Sequence, residues 1–476
     1  MVRAVGWTGL AKIIGQIAMF ATTLLLAHLL DKADLGLFAM AVLYAGIVDT
    51  VTDGGFQSAI IQRKDISADS LSSCFWLLTG ISLSVVAISQ LVAPWIAAVF
   101  AEMRLAGVVR QISWIFLILP LTIVSSGILS RRFRLDVIAK AELGACLARC
   151  AISAALALAG MGIVSLIYGY LAERIIVGFA LARVARWKPS LRFNYRNVRP
   201  LISFGLNVTA SRLLWLGYSK MDTFIIARFL GTEILGMYSV ASQIALAFGQ
   251  FISAVYYRVI FPLLSKSQDS PNFKEILLAS SVYLSIVSLP VMVGLAVVAP
   301  DIVSVFLGEK WQEASLVIRV LSIVAALQIL SGLLPQAMNA IGRADISIWI
   351  NLSSLIVFGV SFYLGVQWQG LNGILIVWLI LGPLRSIANV SIACALLQLP
   401  IAEYMRRHAG SFMATLIMLL AAMAVAEATG TWPAISRLVL SVSFGALAYV
   451  AVSPLFLRRP WVELFSVLKI SPKATV

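Results

Sequence analysis

Apolar runs of about twenty residues or more recur along nearly the whole chain. They fall near residues 7–30, 35–61, 71–100, 109–130, 141–159, 163–185, 201–236, 234–264, 276–300, 313–341, 411–428 and 434–457, with two more between 341 and 399. A helix of about 20 residues spans the hydrocarbon core of a bilayer, where every backbone polar group must be satisfied internally. The sequence therefore predicts an all-α polytopic integral membrane protein of about fourteen transmembrane helices. Only 12% of its residues are charged and its mean hydropathy is +0.97, whereas a soluble domain carries about twice that share of charge. The 476 residues are taken up by spans and short connectors, leaving no room for a sizeable soluble domain. The first run is too long for a signal-peptide core and no convincing small-residue cleavage site follows it, so it reads as the first helix.

A formal net charge of +15 would suit nucleic acid, but its distribution excludes that partner. Counted from a cytoplasmic N-terminus, about 22 Lys and Arg fall in the N-terminus, the even-to-odd connectors and the tail, against about three on the opposite side. This is the positive-inside pattern, and it places both termini in the cytoplasm. Cys74, Cys146, Cys150 and Cys394 lie in or near apolar spans without His or acidic ligands beside them. They read as small packing residues, with no metal site and no disulfide.

The run LISFGLNVTASRLLWLGYSKMDTFIIARFLGTEILG, residues 201–236, is long enough to cross a bilayer, yet Arg212, Lys220 and Asp222 sit in its middle. Three such charges cost roughly 7.5–10.5 kcal/mol on an insertion scale, against about 2.5–5 kcal/mol returned by its large apolar residues. On a continuous helix at about 100° per residue, Lys220 lies near 80° and Asp222 near 280° from Arg212. That charged face must meet water, protein or a ligand.

Other spans carry charge as well. Gly46, Asp49, Asp53 and Gln57 share one stripe of the second span. Asp53, followed by Gly54 and Gly55, reads either as a helix end or as a pathway residue; Asp49, nearer mid-bilayer, reads as a pathway or ion-coupling residue. Arg149, with Glu142 on its face, sits in the fifth span, and Glu173 and Arg174 in the sixth. Either an ion pair ties these two helices together or one of the charges lines a cavity, because adjacent residues point about 100° apart. Arg258 in the eighth span and Arg385 in the twelfth complete the set, and Pro335, Gln336 and Asn339 interrupt the tenth. The third and fourth spans, almost free of central charge, read as scaffold.

The segment RVARWKPSLRFNYRNVR, residues 183–199, holds six basic residues and few aliphatics. It reads as a solvated linker or as an amphipathic segment handling anionic lipid head groups. The expected organisation is an N-terminal lobe, 1–185, a basic cytoplasmic linker, 186–200, a C-terminal lobe, 201–398, an appended helix pair, 410–457, and a tail, 458–476. An internal repeat supports the two lobes. AHLLDKADLGLF from Ala27 aligns without gaps on ARFLGTEILGMY from Ala227, sharing Ala, Leu, Leu and Gly, and Arg134-x-Asp136 is echoed by Arg343-x-Asp345. Such halves are related by an axis along the membrane normal, with a site between them near mid-bilayer.

The runs GLAKIIGQIAMFATTLLLAHLLDKADLGLF, DGGFQSAIIQRKDIS and KMDTFIIARFLGTEILGMYSVA resemble the Wzx-type polysaccharide flippases of the MATE-like oligosaccharidyl-lipid (MOP) exporter superfamily, especially the lipopolysaccharide and exopolysaccharide exporter branch. The resemblance covers most of the first twelve spans. It implies two six-helix lobes and two C-terminal helices around a cavity that opens alternately to either side of a bacterial inner membrane. The implied cargo is an undecaprenyl-pyrophosphate-linked oligosaccharide moved to the periplasmic leaflet for O-antigen, exopolysaccharide or capsule synthesis. It further implies a transporter and not an enzyme, working as a monomer, without a cofactor but with an H⁺ or Na⁺ gradient as candidate driver. Polysaccharide polymerase and chain-length machinery are the implied partners besides substrate and bilayer. Lys12, Asp49, Asp53, Arg212, Lys220, Asp222 and Arg258 fall on the matching helices.

A pyrophosphate needs charge-assisted hydrogen bonds to cross hydrocarbon, and Arg149, Arg174, Arg212, Lys220 and Arg385 outnumber Asp49, Glu173 and Asp222. The cavity is thus expected to be cationic. A MATE-like multidrug or cation antiporter would instead favour an acidic, aromatic cavity. A membrane polymerase or glycosyltransferase would need a large aqueous loop with clustered acids or a base, which the short outward connectors lack.

Overall fold

The apolar runs fold as helices whose ends are set by glycine, proline and charge. The computed structural model describes residues 2–63, 66–267, 270, 272–340 and 344–457. The tail cations Arg458, Arg459, Lys469 and Lys473, Arg343 of the weaker repeat, and the side chains of Arg258, Gln336 and Asn339 lie outside the described residues.

The chain folds as two compact units, one comprising Met1–Val240 with Asn351–Gly373, the other Ala241–Ile350 with the chain from Ile374 onward. In order, the helices are α1 (Val2–Leu29), α2 (Lys32–Asp53), α3 (Phe56–Gln62), α4 (Ala68–Phe100), α5 (Arg104–Ile112), α6 (Leu119–Arg131), α7 (Leu135–Leu158), α8 (Ile163–Ala185), α9 (Tyr195–Ser219), α10 (Met221–Phe229), α11 (Gly231–Ser267), α12 (Phe273–Phe306), α13 (Ala314–Ala340), α14 (Ala344–Leu396), α15 (Ile401–Ala428) and α16 (Ala434–Phe456). A 3₁₀ turn, Ser113–Ile118, joins α5 to α6.

Twelve helical stretches among the described residues are long and apolar enough to cross a membrane. One of them lies in α14, whose 53 residues leave helical geometry at Gln369 and Gly370. At 1.5 Å per residue α14 is about 80 Å long, enough for two crossings. The expected total of fourteen is not confirmed among the described residues, and residues 201–236 are not one helix. The backbone breaks at Lys220 (φ −121°, ψ 10°) between α9 and α10, and Gly231, at φ 82°, opens α11. A helical wheel drawn through Arg212, Lys220 and Asp222 therefore misplaces Asp222, which lies beyond the break. The run 35–61 is likewise broken. Gly54 (φ 52°) and Gly55 (φ 70°) are both left-handed, a conformation glycine adopts at no steric cost, and they end α2 immediately after Asp53.

In the first unit the start of α11 crosses α2 with backbone against backbone. A Cβ on Gly36 would lie 1.8 Å from Thr232 O, and one on Gly236 would lie 1.8 Å from Lys32 O. Lys32 and Thr232, like Gly36 and Gly236, are equivalent positions of the repeat. The contact is reciprocal, as a local two-fold axis requires. A second close approach sets α9 against the α2–α3 turn, since a Cβ on Gly205 would fall 2.0 Å from Gly54 O.

In the second unit, Leu284, Leu289 and Met292 of α12 pack with Ile329, Leu333 and Met338 of α13 and with Cys394 and Tyr404. Ser285 and Ser411 share a hydrogen bond of 2.8 Å between α12 and α15. The C-terminal helix pair is tied down by an ion pair to the buried Asp301. Arg437 of α16 donates from Nε to Asp301 Oδ1 of α12 at 2.5 Å and from Nη1 to Gly430 O at 3.1 Å. Outside both cores the helices present large apolar side chains such as Leu83, Leu91 and Trp95 of α4 and Leu416 and Leu420 of α15. Hydrocarbon is the solvent that accepts such faces.

Gly36→Ala and Gly236→Ala should each lower the unfolding midpoint of the purified protein, consistent with an overpacking cost of about 1–3 kcal/mol or more. Gly46→Ala, whose Cβ meets nothing within 4 Å, should be neutral or mildly stabilising in the same thermal melt.

Candidate functional site

The first unit encloses a cavity of about 760 Å³ lined by α1, α2, α3, α6, α7, α8 and α9. Seven residues singled out from sequence converge on it: Lys12, Asp49, Asp53, Arg149, Glu173, Arg174 and Arg212, together with Glu142 and Gln57. Local geometry explains the convergence. Asp49 and Asp53 are one turn apart at the end of α2 and so share a face. The glycine contact between Gly205 and Gly54 brings α9 so close that Arg212, two turns on, reaches the end of α2.

The charges pair across helices. Arg149 Nη1 of α7 donates to Glu173 Oε2 of α8 at 2.8 Å. Arg174 Nη2 of α8 lies 3.3 Å from Asp49 Oδ2 of α2. The adjacent residues Glu173 and Arg174 thus face different helices, as their angular separation demands. Arg212 of α9 pairs with Asp53 of α2 and donates from Nη2 to Ser58 Oγ of α3 at 3.2 Å. Its side chain remains 44% exposed against 14% for Asp53, so this pair opens to water on the arginine side. Asp53 also accepts from Gln57 N at 3.4 Å, and Gln57 Nε2 donates to Ser126 Oγ at 3.0 Å.

Tyr170 was not singled out from sequence, yet it organises the centre of this network. Its ring lies 5.4 Å from the Arg149 guanidinium carbon and 5.3 Å from that of Arg174, and its hydroxyl accepts from Arg174 Nη2 at 2.9 Å. Phe38 packs edge-on against it at 6.1 Å. The available signal was its position one turn before Arg174 on α8, a spacing that puts two side chains on one face.

The expected cationic excess is absent from this lining. Lys12, Arg149, Arg174 and Arg212 are balanced by Asp49, Asp53, Glu142 and Glu173. A tally of charges along the chain counts Lys220, Arg385 and Asp222, none of which lines the cavity, and overlooks Asp53 and Glu142. Lys220 is exposed at the break between α9 and α10. Arg385 belongs to the second unit. Asp222, expected as an ion-coupling or salt-bridging acid, is buried in the first turn of α10, where it accepts from Thr223 N at 2.6 Å, from Thr223 Oγ1 and from Tyr238 OH. A carboxylate in a helix's first turn is favoured by the macrodipole. Lys12 forms no ion pair among the described residues. Asp49 Oδ1 is buried with no hydrogen-bond partner among them.

The sequence profile of a family described as polysaccharide biosynthesis protein matches residues 25–316. The chain belongs to this family. As a polysaccharide biosynthesis protein it is 27% identical, over 93% of each chain, to the teichuronic acid biosynthesis protein TuaB of Bacillus subtilis. It is 25% identical to the lipopolysaccharide biosynthesis protein WzxC of Escherichia coli, over 80% of this chain and 78% of WzxC. In fold the family member is similar to the lipid II flippase MurJ in an inward closed conformation, with a TM-score of 0.79 at 16% identity over 95% of this chain and 98% of MurJ. An inward-facing multidrug resistance MATE transporter of the MOP superfamily matches with a TM-score of 0.66 at 15% identity, over 81% of this chain and 94% of that one.

Replacing Arg149 by Gln, Glu173 by Gln, and both together closes a double-mutant cycle. Each single change should destabilise the purified protein and the double should recover part of the loss. The expected coupling is about 1 kcal/mol, because the pair is partly wet. A cycle that closes at zero in chemical or thermal unfolding would make the pair energetically idle.

Proposed function

We propose that this chain is a flippase that carries a lipid-linked oligosaccharide across a bacterial inner membrane by alternating access, supplying the repeat unit for a surface polysaccharide. Membership of the polysaccharide biosynthesis family, with relatives named for lipopolysaccharide and teichuronic acid biosynthesis, supports that cargo class. The positive-inside pattern supports termini in the cytoplasm. On this reading the protein breaks no bond of its cargo. A polymerase with its chain-length machinery uses the product, and one chain suffices for transport.

The observation that carries the mechanism is the half-exposed Arg212 held by Asp53, with Lys12 lining the same cavity. An arginine and a lysine on a wet cavity offer the charge-assisted hydrogen bonds a pyrophosphate requires. In the empty cavity Asp53 occupies the place at Arg212 that a phosphate oxygen takes in the loaded one. Asp49 is the candidate for the coupling cation, with one oxygen on Arg174 and the other buried and unused.

Proteoliposomes loaded with labelled undecaprenyl-pyrophosphate oligosaccharide test the assignment. Arg212→Ala and Lys12→Ala should each slow translocation by about 10-fold or more, the loss of one hydrogen bond to a charged group of about 1.5–3 kcal/mol. Lys220→Ala, outside the cavity, should leave the rate unchanged, and the reverse order of effects would overturn the site. Asp49→Asn should abolish the dependence of rate on an imposed H⁺ or Na⁺ gradient, and a rate that still follows the gradient would remove Asp49 from coupling. Four carboxylates and Tyr170 in one cavity are also what an organic-cation antiporter would use. Efflux of such cations without lipid transport would replace the flippase reading.

A further inference from the structure

The chain between α8 and α9 holds cations and apolar side chains together away from the cavity. Residues 187–194 form no helix, yet three hydrogen bonds fasten them to α4. Trp76 Nε1 donates to Ser190 O at 2.7 Å, Ser190 N to Ser72 Oγ at 3.0 Å, and Asn194 N to Ser73 Oγ at 3.0 Å. Phe75 packs edge-on against both Trp76 and Trp187, at 5.4 and 5.9 Å. Counting from Ala68, where α4 begins, these anchors lie about 6–12 Å along a helix that crosses the bilayer. The segment is therefore a strap held at the depth of the first two turns of a spanning helix, where tryptophans collect at membrane interfaces.

Pinned in this way, the strap leaves three large apolar side chains uncovered. Leu191 is 89% exposed, Phe193 53% and Tyr195 57%. Between and beside them stand Arg183, Arg186, Lys188, Arg192 and Arg199, all exposed and none in an ion pair among the described residues. Several other arginines of the first unit are used internally. Those of the cavity meet carboxylates, while Arg131 and Arg132 donate to Ile60 O and Ala185 O at the ends of α3 and α8. Water would satisfy the five strap cations but not Leu191 and Phe193. Hydrocarbon would satisfy the apolar pair but not the cations. A leaflet of anionic phospholipid takes both, with its head groups at the guanidinium and ammonium groups and its acyl chains beneath.

We infer that the strap, residues 183–199, is a binding site for anionic phospholipid head groups, with Leu191 and Phe193 inserted below them. The strap joins α8, which carries Glu173 and Arg174, to α9, which carries Arg212, so a lipid seated there holds the connection between two walls of the cavity.

Native mass spectrometry of the full chain in detergent, with phosphatidylglycerol and phosphatidylcholine of matched acyl chains, reads the site directly and independently of transport. The wild type should retain phosphatidylglycerol preferentially. Arg186→Gln/Lys188→Gln/Arg192→Gln together should reduce that preference by about 10-fold or more. Leu191→Ser/Phe193→Ser should weaken retention of both lipids while keeping the preference. Raising salt from about 0.05 M to about 0.5 M should erode the preference in the wild type itself, a result that needs no variant to fold. Glycerol 1-phosphate, which has the head-group charge without acyl chains, should not displace the lipid. An unchanged ratio in the triple variant, a preference insensitive to salt, or displacement by glycerol 1-phosphate would each overturn the inference.

Discussion

An arginine among apolar transmembrane helices needs a carboxylate, a backbone carbonyl or water in reach, and this requirement shapes the first unit. The idealised cost of moving an unpaired ion from water to a medium of low dielectric is on the order of 20 kcal/mol, far more than any single packing contact returns. Three cross-helix pairs meet that cost here, joining α7 to α8, α8 to α2 and α2 to α9. Because all three border a cavity, they are only partly dry. Partly wet pairs of this kind orient their helices at a modest net gain in stability. A cavity built from paired charges is neutral when empty. That is a different design from a pocket of standing positive charge.

Glycine makes the pairing possible. Arg212 can reach Asp53 because Gly205 allows α9 to touch the turn after α2, and that turn exists because Gly54 and Gly55 accept positive φ. The contact of Gly36 with Gly236 is of another kind, since it joins equivalent positions of the repeat and sits at a point of local symmetry. Larger side chains at either place would separate backbones that now touch.

The two units spend their polar groups differently. In the second, Asp301 with Arg437 and Ser285 with Ser411 are fastenings between helices packed around an aliphatic core. In the first, polar groups gather around open space. Their distribution sets the paired charges of the first unit around one cavity.

Hydropathy is a property of consecutive residues, so the sequence by itself determined the membrane-spanning, all-helical character of the chain and most span positions, while Gly54 and Gly55 left a helix end after Asp53 as one of two readings. It also determined which intramembrane charges required an explanation, and seven of them do meet at one cavity. The repeat starting at Ala27 and Ala227 marked Gly36 and Gly236 as equivalent before their contact was known. Pairing, by contrast, depends on distance between residues up to 159 positions apart, as with Asp53 and Arg212, and no local pattern encodes that. Only the tertiary structure decided that Lys220 interrupts a helix, that Asp222 is buried in the first turn of the next, that Tyr170 stands between two guanidinium groups, and that the cavity's charges cancel. The physical reason is that a charge's role in a membrane is set by its partner, and partners are chosen by packing.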